Sequence, residues 1–130
     1  MEDSKKELSS KQLAELVVKG MLDKKAKDVV LMDLREIKHA VSDFFVVCSA
    51  TSDRHAAAVI DGIEETTLKE SGTKAWRREG MERKEWILLD YIDVVAHVFV
   101  ENKRQHYGLE DLWGDAKTTR IDLGKADTAE

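Results

Sequence analysis

The chain has 130 residues, 42% of them hydrophobic and 36% charged, with 21 basic against 26 acidic side chains and a formal net charge of −5. That length makes one domain, with enough burial for a core that needs no staple, and the acidic balance argues against independent nucleic-acid binding while allowing a basic partner. A single cysteine, Cys48, excludes an internal disulfide, no apolar run nears the ~20 residues of a membrane span, and the polar start MEDSKKELSS resembles neither a signal nor a transit peptide, so a cytoplasmic protein is expected.

The first helix is signalled at Ser9, which stands at capping-box spacing from Gln12. Leu13, Leu16, Val17 and Met21 follow as one apolar stripe, and the helix is expected to end near Asp23. DVVLMDL (28–34) and DFFVVCS (43–49) read as strands joined by REIKHAVS. Neither alternates cleanly, so both faces of each should be covered. Ser52 opens a second helix with Asp53 in its first turn, its stripe runs through Ala56, Val59, Ile60 and Ile63, and Gly72 suits the position just past its end. TKAWRRE (73–79) is a more polar edge strand. EWILLDY (85–91) and DVVAHVFV (93–100) follow, then a short helix, a break at Gly108 and a turn anchored by Leu109, Leu112 and Trp113. The order α-β-β-α-β-β-β-α predicts an α/β domain with a mixed five-stranded sheet and helices packed on it. Short turns between neighbouring strands argue against an all-parallel sheet. Residues 114–130 hold only isolated apolar side chains and read as a flexible C-terminal tail behind a domain of 1–113, with its ordered core at about 9–113.

EWILLDYIDVVAHVF, 85–99, sets polar groups among apolar ones and raises the question of chemistry. A two-carboxylate metal site on a strand needs partners an even number of residues apart, because side chains alternate. Asp90 and Asp93 are three apart, and no glycine-rich phosphate loop accompanies them. Trp86, Leu88 and Asp90 share one face, and Ile87, Leu89 and Tyr91 the other. An ionised Asp is costly to bury, which favours the first face as the open one. Two readings of it stand: a docking patch built on an exposed tryptophan, or Trp86 covering the rim of the core while Asp90 pairs with a local arginine. His97 alternates with Val95 and Phe99 as a partly buried core histidine, and His55 and His106 sit at helix ends. The spacings H-x-x-x-H, C-x-x-C and G-x-S-x-G are all missing, so neither a zinc site nor a serine nucleophile is supported. Cys48 reads as a small buried apolar residue. WRRE and KRQHY set arginine beside aromatics, as single-strand RNA binders do, but acidic neighbours make them solvated faces with salt bridges.

Five segments in order carry a resemblance: S-D-F-F at 42–45, T-S-D-R-H at 51–55, W-x-x-x-D at Trp86 and Asp90, H-V-F at 97–99, and R-x-x-Y-x-L-E-x-L-W from Arg104 to Trp113. Together they resemble the ribosomal silencing factor, or Iojap, family across most of residues 10–113. The resemblance implies a nucleotidyltransferase-like fold without the catalytic constellation, no cofactor, no metal and no catalytic residue. It implies a factor that binds the large ribosomal subunit through its protein fourteen and sterically blocks subunit joining when nutrients are limited. It maps docking onto Trp86 and Asp90 with neighbours Ile87, Leu88, Leu89 and Tyr91. A homodimer is compatible with the sequence, and no membrane partner is expected. The alternatives are a large-subunit assembly factor and a metal-dependent nucleotidyltransferase-like enzyme using Asp90 and Asp93. This chain departs from the family pattern at Ile92, where relatives usually carry glycine, at Ser49-Ala50 in place of T-G, and at Ala40 in place of serine.

Overall fold

The computed structural model describes residues 8–121. In chain order the elements are α1 (Ser10–Asp23), β1 (Lys27–Asp33), β2 (Phe44–Ala50), α2 (Asp53–Ser71), β3 (Arg77–Glu79), β4 (Trp86–Asp90), β5 (Val94–Val100), α3 (Glu101–Tyr107), α4 (Leu109–Leu112) and β6 (Lys117–Ile121). The expected helix signals form as bonds. Ser9 Oγ accepts from the Gln12 amide at 3.0 Å, and Gln12 Oε1 accepts from the Ser9 amide at 2.9 Å. Ser52 Oγ accepts from the His55 amide at 3.0 Å to open α2, which closes on Gly72 at φ +70°.

The sheet runs β3-β4-β5-β2-β1-β6. β2 and β5 pair in parallel at its centre, and every other pair is antiparallel. β2 is buried throughout and β5 at all but its last residue, because elements cover both faces there. α1 and α2 cover the first face. Val17, Met21, Ile60 and Ile63 meet Ile87, Leu89 and Val98 in a cluster of wholly buried side chains, each stabilising the fold by about 1.5–3 kcal/mol. The helices approach closely at Gly20, where a Cβ would lie 2.7 Å from the Ile63 Cα. The second face carries a smaller cluster, Val30, Met32, Leu34, Phe45, Val47, Val95, Phe99 and Leu109. Ile37, Ala40 and Trp113 close over part of it, and the β3–β4 side lies beyond that cover.

The mixed α/β architecture is as expected, with one strand more than the five read from the sequence. The sixth, β6, lies within the segment expected to be a tail and pairs antiparallel with β1 from Lys117↔Asp33 to Ile121↔Val29. Only Ile121 of β6 is even partly buried. The strand is held by backbone bonds to the β1 edge and by β-branched Thr118, Thr119 and Ile121, not by a hydrophobic face. A reading based on burial periodicity has no signal to find there. Residues 122–130, the rest of that segment, lie outside the described residues. β3 is also shorter than the expected 73–79.

Candidate functional site

The pleat of β4 divides the six residues expected to form one contact surface. Trp86, Leu88 and Asp90 are half-buried on the second face, while Ile87 and Leu89 are 0% exposed on the first. Tyr91 is buried as well, its hydroxyl 2.8 Å from Thr67 Oγ1 of α2, and burial pushes its pKa up to about 12. Ile87, Leu89 and Tyr91 therefore belong to the core under the helices and offer no side chain to a partner. Strand alternation leaves no other outcome once one face is covered.

Trp86 lies across the second face in an aromatic group. Its ring stacks on Phe99 with centroids 5.0 Å apart and leans on Tyr107 at 4.9 Å. The indole Nε1–H donates to His97 Nδ1 at 3.0 Å. An indole only donates, so Nδ1 is bare and the imidazole carries its proton on Nε2. His97 is 4% exposed, and burial pushes its pKa down to about 3. Its Nε2 has no partner among the described residues, and Phe45 stands edge-on 4.5 Å away. Trp113 in turn covers Phe45 at 5.8 Å.

Asp90 ends β4 and builds the turn into β5. Its Oδ1 accepts from the Ile92 amide at 2.7 Å, and Oδ2 lies 3.7 Å from Arg77 Nε. Arg77 also pairs with Glu79 at 2.9 Å and lies over the Trp76 ring at 4.7 Å. The Asp93 amide donates to the Tyr91 carbonyl at 2.9 Å around Ile92 at φ +75°. This is a γ-turn of positive φ, a strained form. Both parts of the rim reading of the sequence are present: Trp86 covers Phe99, and Asp90 pairs with a local arginine. The alternation also leaves Trp86 and Leu88 partly open.

Asp93 works through its backbone, its carbonyl accepting from the amides of Asp43 and Phe44 at 2.7 and 3.1 Å. Among the described residues no group of three or more His, Cys, Asp or Glu side chains is placed to hold a metal. The other candidates have structural work. His55 Nδ1 accepts from the Thr51 amide, and Nε2 reaches the Lys24 carbonyl at 2.8 Å, tying α2 to the end of α1. Cys48 is wholly buried, its thiol pushed up to about 12.

Two supports of Trp86 escaped the sequence reading. The sequence shows His97 only as a core histidine and Tyr107 only as part of a helix. The signal for Tyr107 lies in its spacing from Arg104 and Glu110. The R-x-x-Y-x-L-E segment folds α3 and α4 back: Arg104 holds Glu110 through paired bonds of 2.8 and 2.9 Å and donates to Ser49 Oγ and the Asp28 carbonyl. That clasp lays Tyr107 on Trp86 and buries Leu109.

The family model for "ribosomal silencing factor during starvation" matches residues 7–130. A ribosomal silencing factor of Halalkalibacterium halodurans is 36% identical over 115 residues, spanning 88% of this chain and 97% of that protein. A mouse protein named for mitochondrial assembly of the ribosomal large subunit is 26% identical over 102 residues, 76% of this chain and 44% of that one. A crystal structure of a Chromobacterium violaceum protein superposes with a TM-score of 0.76 at 30% identity, covering 82% of this chain and 88% of the other.

Proposed function

This chain belongs to the ribosomal silencing factor family, and from that premise we propose that it docks on the large ribosomal subunit, through that subunit's protein fourteen, and keeps the small subunit from joining. The observation that carries the reading is Trp86, a large aromatic side chain held in one orientation by Phe99, Tyr107 and His97 at the boundary of the covered half of the second sheet face. A rigid, half-buried tryptophan is the residue type that dominates interface energies, because its ordering cost is met before the partner arrives. Leu88 and Asp90 flank it.

The mechanism needs no reaction. A compact body of this length is about 30 Å across by domain scaling, enough to exclude another subunit from the surface on which it sits. Ribosomal proteins embedded in RNA are basic, and a net charge of −5 favours approach to such a surface. The outcome is repression of translation in the cytoplasm when nutrients run short.

The test is sedimentation of purified subunits with this protein at a magnesium concentration that permits joining. Co-migration with large subunits and a smaller joined peak are expected, and Trp86→Ala should weaken binding by more than about 1 kcal/mol with folding intact. Protein left at the top of the gradient, with joining unchanged, refutes the reading. A second reading, assistance in large-subunit assembly, is favoured by the name of the mouse relative. It uses the same contact at an earlier time, and preferential binding to precursor over mature large subunits would select it.

A further inference from the structure

The side chains that β4 turns to the second face are Trp86, Leu88 and Asp90, and their polar atoms already have partners within the chain. The Trp86 Nε1–H is bonded to His97 at 3.0 Å. Asp90 Oδ1 is bonded to the Ile92 amide at 2.7 Å, and Oδ2 faces Arg77 at 3.7 Å. Leu88 has nothing polar to offer. We propose that Asp90 is a positioning residue of the docking surface and not a contact to a basic group of the partner, and that the contact on β4 falls to the indole of Trp86 and to Leu88. This rests on the docking reading above and assigns the roles within it.

Three observations carry the assignment. First, the Asp90 side chain is only 17% exposed, and its short bond to an amide two residues on is the side-chain turn that aspartate makes for its own backbone. A partner's lysine would have to share a mostly covered carboxylate with the Ile92 amide and Arg77. Second, the turn it builds needs a strut. Ile92 sits at φ +75°, a conformation that β-branched residues avoid, and the bond from Asp90 Oδ1 holds the Ile92 amide in place. Third, other segments are hung on the same turn. Ser42 Oγ donates to the Ile92 carbonyl at 2.8 Å, and the Trp76 amide donates to the Asp90 carbonyl at 2.7 Å. Release of the turn would loosen the loop before β2, the approach to edge strand β3, and the end of the strand that carries Trp86.

Asparagine separates the two roles, because its side-chain carbonyl can accept from the Ile92 amide but carries no charge. The experiment measures binding of wild type, Trp86→Ala, Leu88→Ala, Asp90→Asn and Asp90→Ala to purified large subunits at two salt concentrations, with hydrogen exchange of the Ile92 amide. The expected result is Asp90→Asn within about twofold of wild type at both salts, because the side-chain amide oxygen still accepts from the Ile92 amide. Asp90→Ala should bind roughly five- to tenfold more weakly, the worth of one lost hydrogen bond, with faster exchange at Ile92. Leu88→Ala should weaken binding without changing that exchange. The assignment is overturned if Asp90→Asn loses as much binding as Asp90→Ala while its Ile92 amide stays protected, above all if the loss shrinks as salt rises. It is overturned equally if the amide exchanges at the wild-type rate in Asp90→Ala. Failure of the docking reading looks different: wild type does not bind, or Trp86→Ala and Leu88→Ala bind like wild type, while the exchange at Ile92 still reports on the turn.

Discussion

Replacing Ile92 by glycine should make this protein more stable, although it deletes a large apolar side chain. Ile92 is at φ +75°, 58% exposed, and belongs to neither core cluster. A left-handed conformation costs an L-residue about 1–2 kcal/mol, and a second branch at Cβ sets isoleucine at the upper end. Glycine removes that strain, and its extra freedom in the unfolded chain offsets about 0.5–1 kcal/mol of the gain. Little burial is lost because little exists. The net expectation is a gain of about 1 kcal/mol, read as a higher urea midpoint at unchanged slope and a rise in Tm of about 4 °C. Ile92→Ala is the control. It removes most of the side chain but keeps the Cβ and most of the strain, so its midpoint should stay at or below that of wild type. If alanine stabilises as much as glycine, or if glycine destabilises, the strain argument is wrong and Ile92 contributes a contact that its exposure does not reveal.

Two further outcomes follow from the site. Burial holds the folded-state pKa of His97 near 3 against an ordinary 6.5, so below pH 6.5 the unfolded chain takes up the proton first. The stability contribution is complete above that pH and is lost progressively between 6.5 and 3, at about 1.4 kcal/mol per pH unit. The unfolding free energy from urea titrations should fall between pH 7 and pH 5 by about 2 kcal/mol more in wild type than in His97→Gln; equal falls would remove His97 from the account. Arg104, whose side chain is 12% exposed, ties Glu110, Ser49 and Asp28 together. Arg104→Ala should cost about 2–3 kcal/mol in denaturant unfolding, and Arg104→Lys should recover little because an ammonium cannot make the paired bonds; full recovery by lysine would show that charge alone matters there.

The positions of both long helices and of the central strands were legible in the residues. Their signals are short-range: Ser9 with Gln12, Ser52 with Asp53, Gly72 past the end of α2, and continuous apolar runs in β2 and β5. The surface was harder. The resemblance mapped docking onto six neighbours drawn from both faces that the alternation separates, and the cover of α1 and α2 buries Ile87, Leu89 and Tyr91. The sequence alone does not choose between the two readings of Asp90, because its partners, Arg77 and the Ile92 amide, become visible only when the turn is built.

What the sequence by itself determined is whatever is settled within about one helical turn or by strand alternation: caps, apolar stripes, and which side chains of β4 travel together. What only the tertiary structure decided is which face of β4 is open, where the indole of Trp86 points, and that residues 117–121 form a strand at all. The physical reason is separation along the chain. The helix-side cover of Ile87 comes from α1 and α2, the partner of the Trp86 indole is His97, and β6 finds its backbone partners in β1, some 90 residues earlier. Local sequence specifies donors, acceptors and apolar surface; their pairing depends on chain closure over distances at which no periodicity survives.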